Sequence, residues 1–106
     1  MAKYLITGSY TPEGAKGVLA KGGSDRRAAV EKLAESVGGT VDVFYFAFGG
    51  DDIVTIIDAP DNESVAAVTM TVGASGLVDI RTTVLLTPEE VDGAAKKSVS
   101  YRGPGR

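Results

Sequence analysis

The stretch FYFAFGGDDIVTIIDAP, residues 44–60, contains two runs of aromatic and β-branched residues on either side of a glycine-rich joint. Two such runs separated by a short segment with Gly and Asp are typical of a β-hairpin. We therefore predict two antiparallel strands, one over Thr40–Phe48 and the other over Asp52–Asp58. This hairpin decides the fold, because a strand and a helix can be recognised before it and a helix and a strand after it.

The joint of the hairpin has two interpretations. It fits a tight turn, in which glycines adopt positive φ and Asp side chains accept hydrogen bonds from nearby amides. Alternatively, Asp51 and Asp52, together with Asp58, would form a carboxylate site for Mg²⁺ or for acid–base chemistry. Adjacent side chains of an extended chain point to opposite sides, so we favour the turn. Asp52 alone remains a candidate, because it begins a strand.

Before the hairpin, the chain shows one strand and an interrupted helix. Lys3–Ser9 mixes aromatic and β-branched residues, which predicts a strand. Thr11-Pro12-Glu13 is a helix-start signal, since Thr caps well and Pro suits the first helical position. Glycines at positions 17, 22 and 23 predict a short helix, a break and a restart at Ser24. Apolar residues at helical spacing then form one core face, which ends at Gly38-Gly39.

After the hairpin, the same kinds of signal predict a helix, a strand and a last short helix. Pro60 ends the second hairpin strand, and Asp61 or Asn62 caps a helix with three valines on one side. A fourth strand is predicted over Leu77–Leu86. A second Thr-Pro-Glu at 87–89, with Glu90 placed for a capping box, starts a helix to about Lys97. We therefore predict one domain over residues 1–97 and a flexible polar tail over 98–106.

The predicted order is that of an α+β, ferredoxin-like βαββαβ fold with a C-terminal helix. Both crossover helices of this topology lie on one face of the sheet, so the other face is left open. We predict that a second copy of the chain covers the open face, in a homodimer or a larger homo-oligomer, and that a small molecule binds between the two sheets. The alternative is an interface with polar residues at its rim and no ligand.

Side chains alternate along a strand, which selects the candidates for such a site. Arg81 has the strongest claim, because an Arg in a central strand requires a partner: Asp79 on the same face, a carboxylate of the partner subunit, or an acidic ligand. The ligand-binding candidates are Thr7, Ser9, Tyr45, Asp52, Thr55, Arg81 and Thr83.

Two further features have both a functional and a structural interpretation. Basic residues at positions 16, 21, 26 and 27 stand among glycines and could cradle an anion, but the order of a phosphate-binding loop is lacking. Solvated helix charge is the preferred interpretation. Tyr10 and Tyr45 could donate hydrogen bonds in a cofactor-free site, although a tyrosine at a strand end more often packs with its hydroxyl in water.

Composition narrows the possible chemistry. The 106 residues contain no Cys and no His, which excludes thiolate nucleophiles, disulfides, imidazole bases and the usual zinc sites. We predict no metal and no cofactor. A net charge of −3 argues against nucleic acid as a partner. No run approaches the length of a membrane span and the first residues lack a secretory signal, so we expect a soluble, cytoplasmic protein.

Four segments together resemble the GYD domain family: MAKYLITGSYTPEGAKG (1–17), FYFAFGGDD (44–52), DAPDN (58–62) and TTVLLTPEEVD (82–92). The resemblance covers roughly residues 2–97. It implies a bacterial or archaeal protein of uncharacterised function and a dimeric α+β barrel, in which two ferredoxin-like protomers pack sheet to sheet. The family's Gly-x-Tyr-Asp pattern is matched by Gly49 and Asp52, whereas Asp51 occupies the tyrosine position.

The resemblance also bears on catalysis. Related dimeric α+β barrels support cofactor-independent enzymes of the monooxygenase, isomerase or decarboxylase type, so such an enzyme is the alternative to a small-molecule-binding homo-oligomer. An enzyme should bury Arg81 or a tyrosine beside an ionisable partner in a closed cavity. A purely structural oligomer should fill the same space with Phe44, Phe46 and Phe48. The sequence leaves open whether the protein is an enzyme.

Overall fold

The computed structural model describes residues 1–106 and contains one antiparallel sheet of four strands, in the order β2-β3-β1-β4. This order is that of the split βαβ, ferredoxin-like fold, as predicted. None of the helices combines the length and apolar character needed to cross a membrane. The elements are β1 (Ala2–Tyr10), α1 (Pro12–Lys21), α2 (Gly23–Glu35), β2 (Thr40–Phe46), β3 (Ile53–Ala59), α3 (Asn62–Ala74), β4 (Val78–Leu85) and α4 (Pro88–Ala95).

The predicted break in the first helical segment is confirmed. Gly22, at φ 87°, separates α1 from α2 in a backbone conformation that suits glycine. Thr11 caps α1 by accepting a hydrogen bond from the Gly14 amide at 3.3 Å. The cap at Thr11 therefore sets the start of α1, and the glycine at position 22 sets the boundary between α1 and α2.

The later helices begin at the predicted caps. The Asp61 side chain accepts a hydrogen bond from the Ser64 amide at 2.8 Å, and this bond lowers the pKa of the Asp61 carboxyl. Thr87 and Glu90 form the predicted capping box of α4, with bonds of 3.1 and 3.0 Å.

The hairpin pairs β2 with β3 antiparallel, as predicted, with two differences. β2 ends at Phe46 rather than Phe48, because the Ala47 amide already donates to the Asp52 carbonyl at 2.8 Å and closes the loop. A β-bulge lies between Val41 and Val43. A bulge inserts one residue and reverses the alternation of faces beyond it.

The core lies between the helices and one face of the sheet, and the other face is open, as predicted. Buried residues alternate along the two central strands, so that one side of the sheet is covered and the other is not. The core cluster consists of Tyr4, Ile6, Ile57, Ala59 and Val65.

The assignment of Thr55 to the open face is wrong. Thr55 lies opposite Ile6 and Phe44, on the helix side, and only 2% of its surface is exposed. Its hydroxyl donates to the Val43 carbonyl at 2.7 Å, so the buried polar group is satisfied within the hairpin. Phe44 and Phe46 lie on the same side and contact each other edge to face at 5.3 Å. These phenylalanines therefore leave the open face uncovered.

The C-terminal segment is exposed throughout, from Leu86 to Arg102. The radius of gyration is 16.9 Å, against about 13 Å for a compact chain of this length. We attribute the difference to this segment, which extends beyond the sheet. Helix α4 is therefore well capped and has no apolar partner of its own.

Candidate functional site

The open face carries three rows of side chains, each crossing all four strands, as set by the strand register. The middle row is apolar except for one threonine, and charged groups lie in the rows on either side of it. The rows, in sheet order, are Tyr45, Val54, Thr7, Arg81; then Val43, Ile56, Leu5, Thr83; then Thr40, Asp58, Lys3, Leu85.

One end of the open face is a three-residue ion cluster. Lys3 Nζ donates to Asp42 Oδ2 at 2.8 Å and to Asp58 Oδ1 at 3.0 Å. The hydrogen bonds to Asp42 and then Asp58 raise the pKa of the Lys3 amine, so it stays charged at neutral pH. This end of the open face is polar, and its charged groups are already paired with one another.

The other end is an ion pair that links the hairpin turn to β4. Arg81 Nη2 donates to both carboxylate oxygens of Asp51, at 2.6 and 2.7 Å. Asp79, one of the three partners considered for Arg81, forms no ion pair with it. Asp51 is thirty residues away in the chain, and only the strand order brings the turn beside β4. At the position where the family pattern has tyrosine, this chain therefore supplies a counter-ion for Arg81.

We expect Asp51→Asn to lower the free energy of unfolding by less than about 1 kcal/mol, and by less still at high salt. The Arg81 side chain is 73% exposed, so solvent screens the pair. Urea denaturation at low and high salt measures the change, with Asp79→Asn as the matched control in the same region. A loss of several kcal/mol that salt does not reduce would contradict a screened surface pair.

Asp52 lies at the start of the hairpin's second strand and is engaged within the fold. Its Oδ2 accepts a hydrogen bond from the Tyr10 amide at 2.8 Å, and its own amide donates to the Gly8 carbonyl at 2.7 Å. These bonds tie the turn to the end of β1. No three acidic side chains come close enough together to hold a metal ion.

The remaining candidates lie on the open face. Thr7 and Tyr45 belong to the row of Arg81, Thr83 belongs to the apolar row, and Ser9 lies opposite Asp79 at the end of β1. The structure thus brings Thr7, Tyr45, Arg81 and Thr83 together on one surface and separates them from Thr55.

A second concave region, missed at the sequence level, lies on the helix side of the sheet. A small apolar chamber of about 50 Å³ between the sheet and helices α2 and α3 adjoins a cleft of about 430 Å³ between α1, α2 and α3. Tyr10 and Arg26 line both spaces. In the sequence, Tyr10 and the basic segment that contains Arg26 are separate features, and only the packing of α1 and α2 places them together.

The comparisons with known proteins fit this geometry. The crystal structure of MtbAldR (Rv2779c) is similar to this chain with a TM-score of 0.60 and 21% identity, over 81% of this chain and 52% of that one. The chain thus spans about half the length of that structure, and the likeness concerns the ferredoxin-like fold alone. No curated protein matches the chain. The model of the GYD domain matches residues 4–95, which is most of the chain, and this protein therefore belongs to the GYD domain family.

Proposed function

We propose that this protein is a homodimer that packs its two open faces together and holds a small molecule between them. The observation that carries the proposal is the layout of the open face, in which an apolar row lies between two rows that contain charged residues. Protein interfaces have this anatomy, with an apolar centre and a polar rim. A second copy of the chain is a suitable partner, because a two-fold axis places the same patch on both sides.

The driving force for the proposed dimerisation comes from the apolar middle row of the open face and its neighbours. Leu5, Val43, Val54 and Ile56 are all partly exposed in the single chain. Removing apolar surface from water contributes roughly 25 cal/mol per Å². The ion pairs at the two ends are satisfied within each protomer, so they can lie at the rim without leaving a charge unpaired.

The C-terminal segment supports the same assembly. A helix of eight residues is marginal in water on its own, since most helical stability in proteins comes from packing. α4 has no packing surface in its own chain, and its segment exposes four large apolar residues: Leu86, Val91, Val99 and Tyr101. A second protomer supplies the missing surface.

The proposed ligand is inferred from the polar groups that would lie between the two facing sheets. The side chains of Thr7, Thr83 and Tyr45 would be enclosed by the facing sheet, and enclosed hydroxyls require hydrogen-bond partners. A small molecule with polar groups provides them. Arg81 is largely exposed and is paired with Asp51, which favours binding over catalysis by that residue.

Native mass spectrometry of the purified protein tests the proposal. We expect the mass of two chains, or of a larger even number, together with a reproducible extra mass that denaturation releases. A monomer at micromolar concentration would overturn the sheet-to-sheet assembly. A dimer of bare polypeptide mass would overturn the small-molecule part and leave the assembly in place.

A further inference from the structure

The helix side of the sheet contains an apolar chamber that lies beside a wider cleft. The chamber is lined almost entirely by aliphatic and aromatic side chains, among them Val30, Leu33 and Phe44. The cleft has a volume of about 430 Å³, which lies in the usual range for small-molecule sites. Five residues line both spaces, so the two are adjacent: Tyr10, Arg26, Leu33, Val72 and Val78.

Tyr10 lines both spaces, and its buried hydroxyl has no hydrogen-bond partner in the protein. Tyr10 is the last residue of β1, and its ring packs beneath α1 close to Gly14. A buried hydroxyl without a partner is costly, and most such groups in native proteins are satisfied. Burial raises the pKa of the Tyr10 phenol, so the group keeps its proton and is available as a donor at neutral pH.

Arg26 lines the same two spaces and also lacks a partner. Its side chain is half-buried and forms neither a hydrogen bond nor an ion pair in the structure, although neighbouring surface charges such as Lys16 and Glu13 do pair. An Arg in such surroundings normally pairs with a carboxylate or phosphate. Arg26 and Tyr10 line the same two spaces, so one ligand in the cleft could contact both side chains.

We propose that this cavity binds a small monocarboxylic acid with an apolar tail. The guanidinium of Arg26 and the hydroxyl of Tyr10 donate to the carboxylate, and the tail lies in the cleft against the apolar side chains that line both spaces, Leu33, Val72 and Val78. The site is complete in one protomer and lies on the opposite side of the sheet from the open face, so it does not depend on the proposed dimer.

The surroundings favour one negative charge over several. Asp25 and Glu13 also line the cleft, as does Lys21, so two carboxylates balance the two cations there and a ligand with several negative charges, such as a phosphate chain or a nucleotide, is disfavoured. The chamber itself is apolar, which disfavours sugars and other ligands that are polar throughout. A short fatty acid combines the single charge and the apolar tail that the two spaces require.

Titration calorimetry with octanoate tests the site, using the full chain and two matched variants. Arg26→Gln removes the proposed anchor, whereas Arg27→Gln changes an exposed neighbour on the same helix that lines neither space. We expect Arg26→Gln to weaken binding by about tenfold or more, because bonds to charged groups are strong. Arg27→Gln should bind as the wild type does, and Tyr10→Phe should weaken binding several-fold.

Octanol is the second probe, since it has the same tail without the charge. Wild-type protein should bind octanol more weakly than octanoate by a factor similar to the loss in Arg26→Gln. Equal affinity for the two probes, equal effects of the two Arg substitutions, or no octanoate binding at millimolar concentration would each overturn the proposal. Circular dichroism of each variant confirms that it is folded, and Ile56→Lys, on the open face, should retain octanoate binding.

Discussion

Gly14→Ala should destabilise this protein by about 3 kcal/mol or more, whereas Gly17→Ala, three residues later in the same helix, should stabilise it by roughly 0.5–1 kcal/mol. Gly14 is buried where α1 crosses the start of β4. A Cβ at this position would overlap the carbonyl oxygen of Leu77 and lie 3.1 Å from Cδ1 of Tyr10. Gly17 has open space around it, so a methyl group there only lowers the entropy of the unfolded chain.

The contact at Gly14 cannot relax at low cost. The Leu77 carbonyl accepts hydrogen bonds from the Thr11 amide at 3.0 Å and the Thr11 hydroxyl at 3.1 Å. Moving this carbonyl aside would therefore weaken the cap of α1 as well as the start of β4. Urea denaturation of the two variants at neutral pH measures both changes. If Gly14→Ala were as stable as the wild type, α1 would not lie against β4 as described.

The secondary structure could be predicted from the sequence because its signals are local. The Gly-Gly-Asp-Asp joint, the two Thr-Pro-Glu starts and the glycine at position 22 each act on neighbouring residues, and the elements that they predict are present. The strand order followed from the order of elements, since few topologies accommodate it. Local chemistry was thus enough to define the ferredoxin-like fold.

The side chains on each face were harder to predict. Strict alternation along β2 would place Val41 with Val43, but the bulge between them puts Val41 and Phe44 on the helix side and Val43 on the open side. No residue in TVDVF, residues 40–44, marks such a bulge. Thr55 was grouped with other polar residues by its chemistry, whereas its hydroxyl is satisfied by a backbone carbonyl in the buried hairpin.

The candidate sites depend on contacts between distant segments, which is why the sequence showed only their parts. Arg81 was expected to lie in a central strand and so to need a partner, but β4 is an edge strand and the side chain is largely exposed; its partner Asp51 becomes a neighbour only through the strand order. Tyr10 and Arg26 were each noted and each assigned a structural role. The packing of α1 and α2 over the sheet places both in the lining of the same two spaces.

Ile56→Lys should leave the protein folded and raise the dissociation constant of the proposed dimer by roughly a hundredfold or more, whereas Ile57→Lys should prevent folding. The two residues are neighbours in β3 and point to opposite faces of the sheet. Ile56 lies in the apolar row of the open face, between Val43 and Leu5. Ile57 belongs to the core cluster and is only 2% exposed.

The size of the Ile56→Lys effect follows from symmetry. A two-fold dimer contains the substitution twice, and each lysine would lie in an apolar centre without a carboxylate in reach, since Asp58 already pairs with Lys3. Light scattering over a range of concentrations measures the assembly, and circular dichroism measures the fold. Thr40→Lys, at the edge of the same face, is the control and should remain dimeric. If Ile56→Lys and Thr40→Lys had the same mass as the wild type, the open face would not be the interface. The exposed C-terminal segment would then be the next surface to test as the interface.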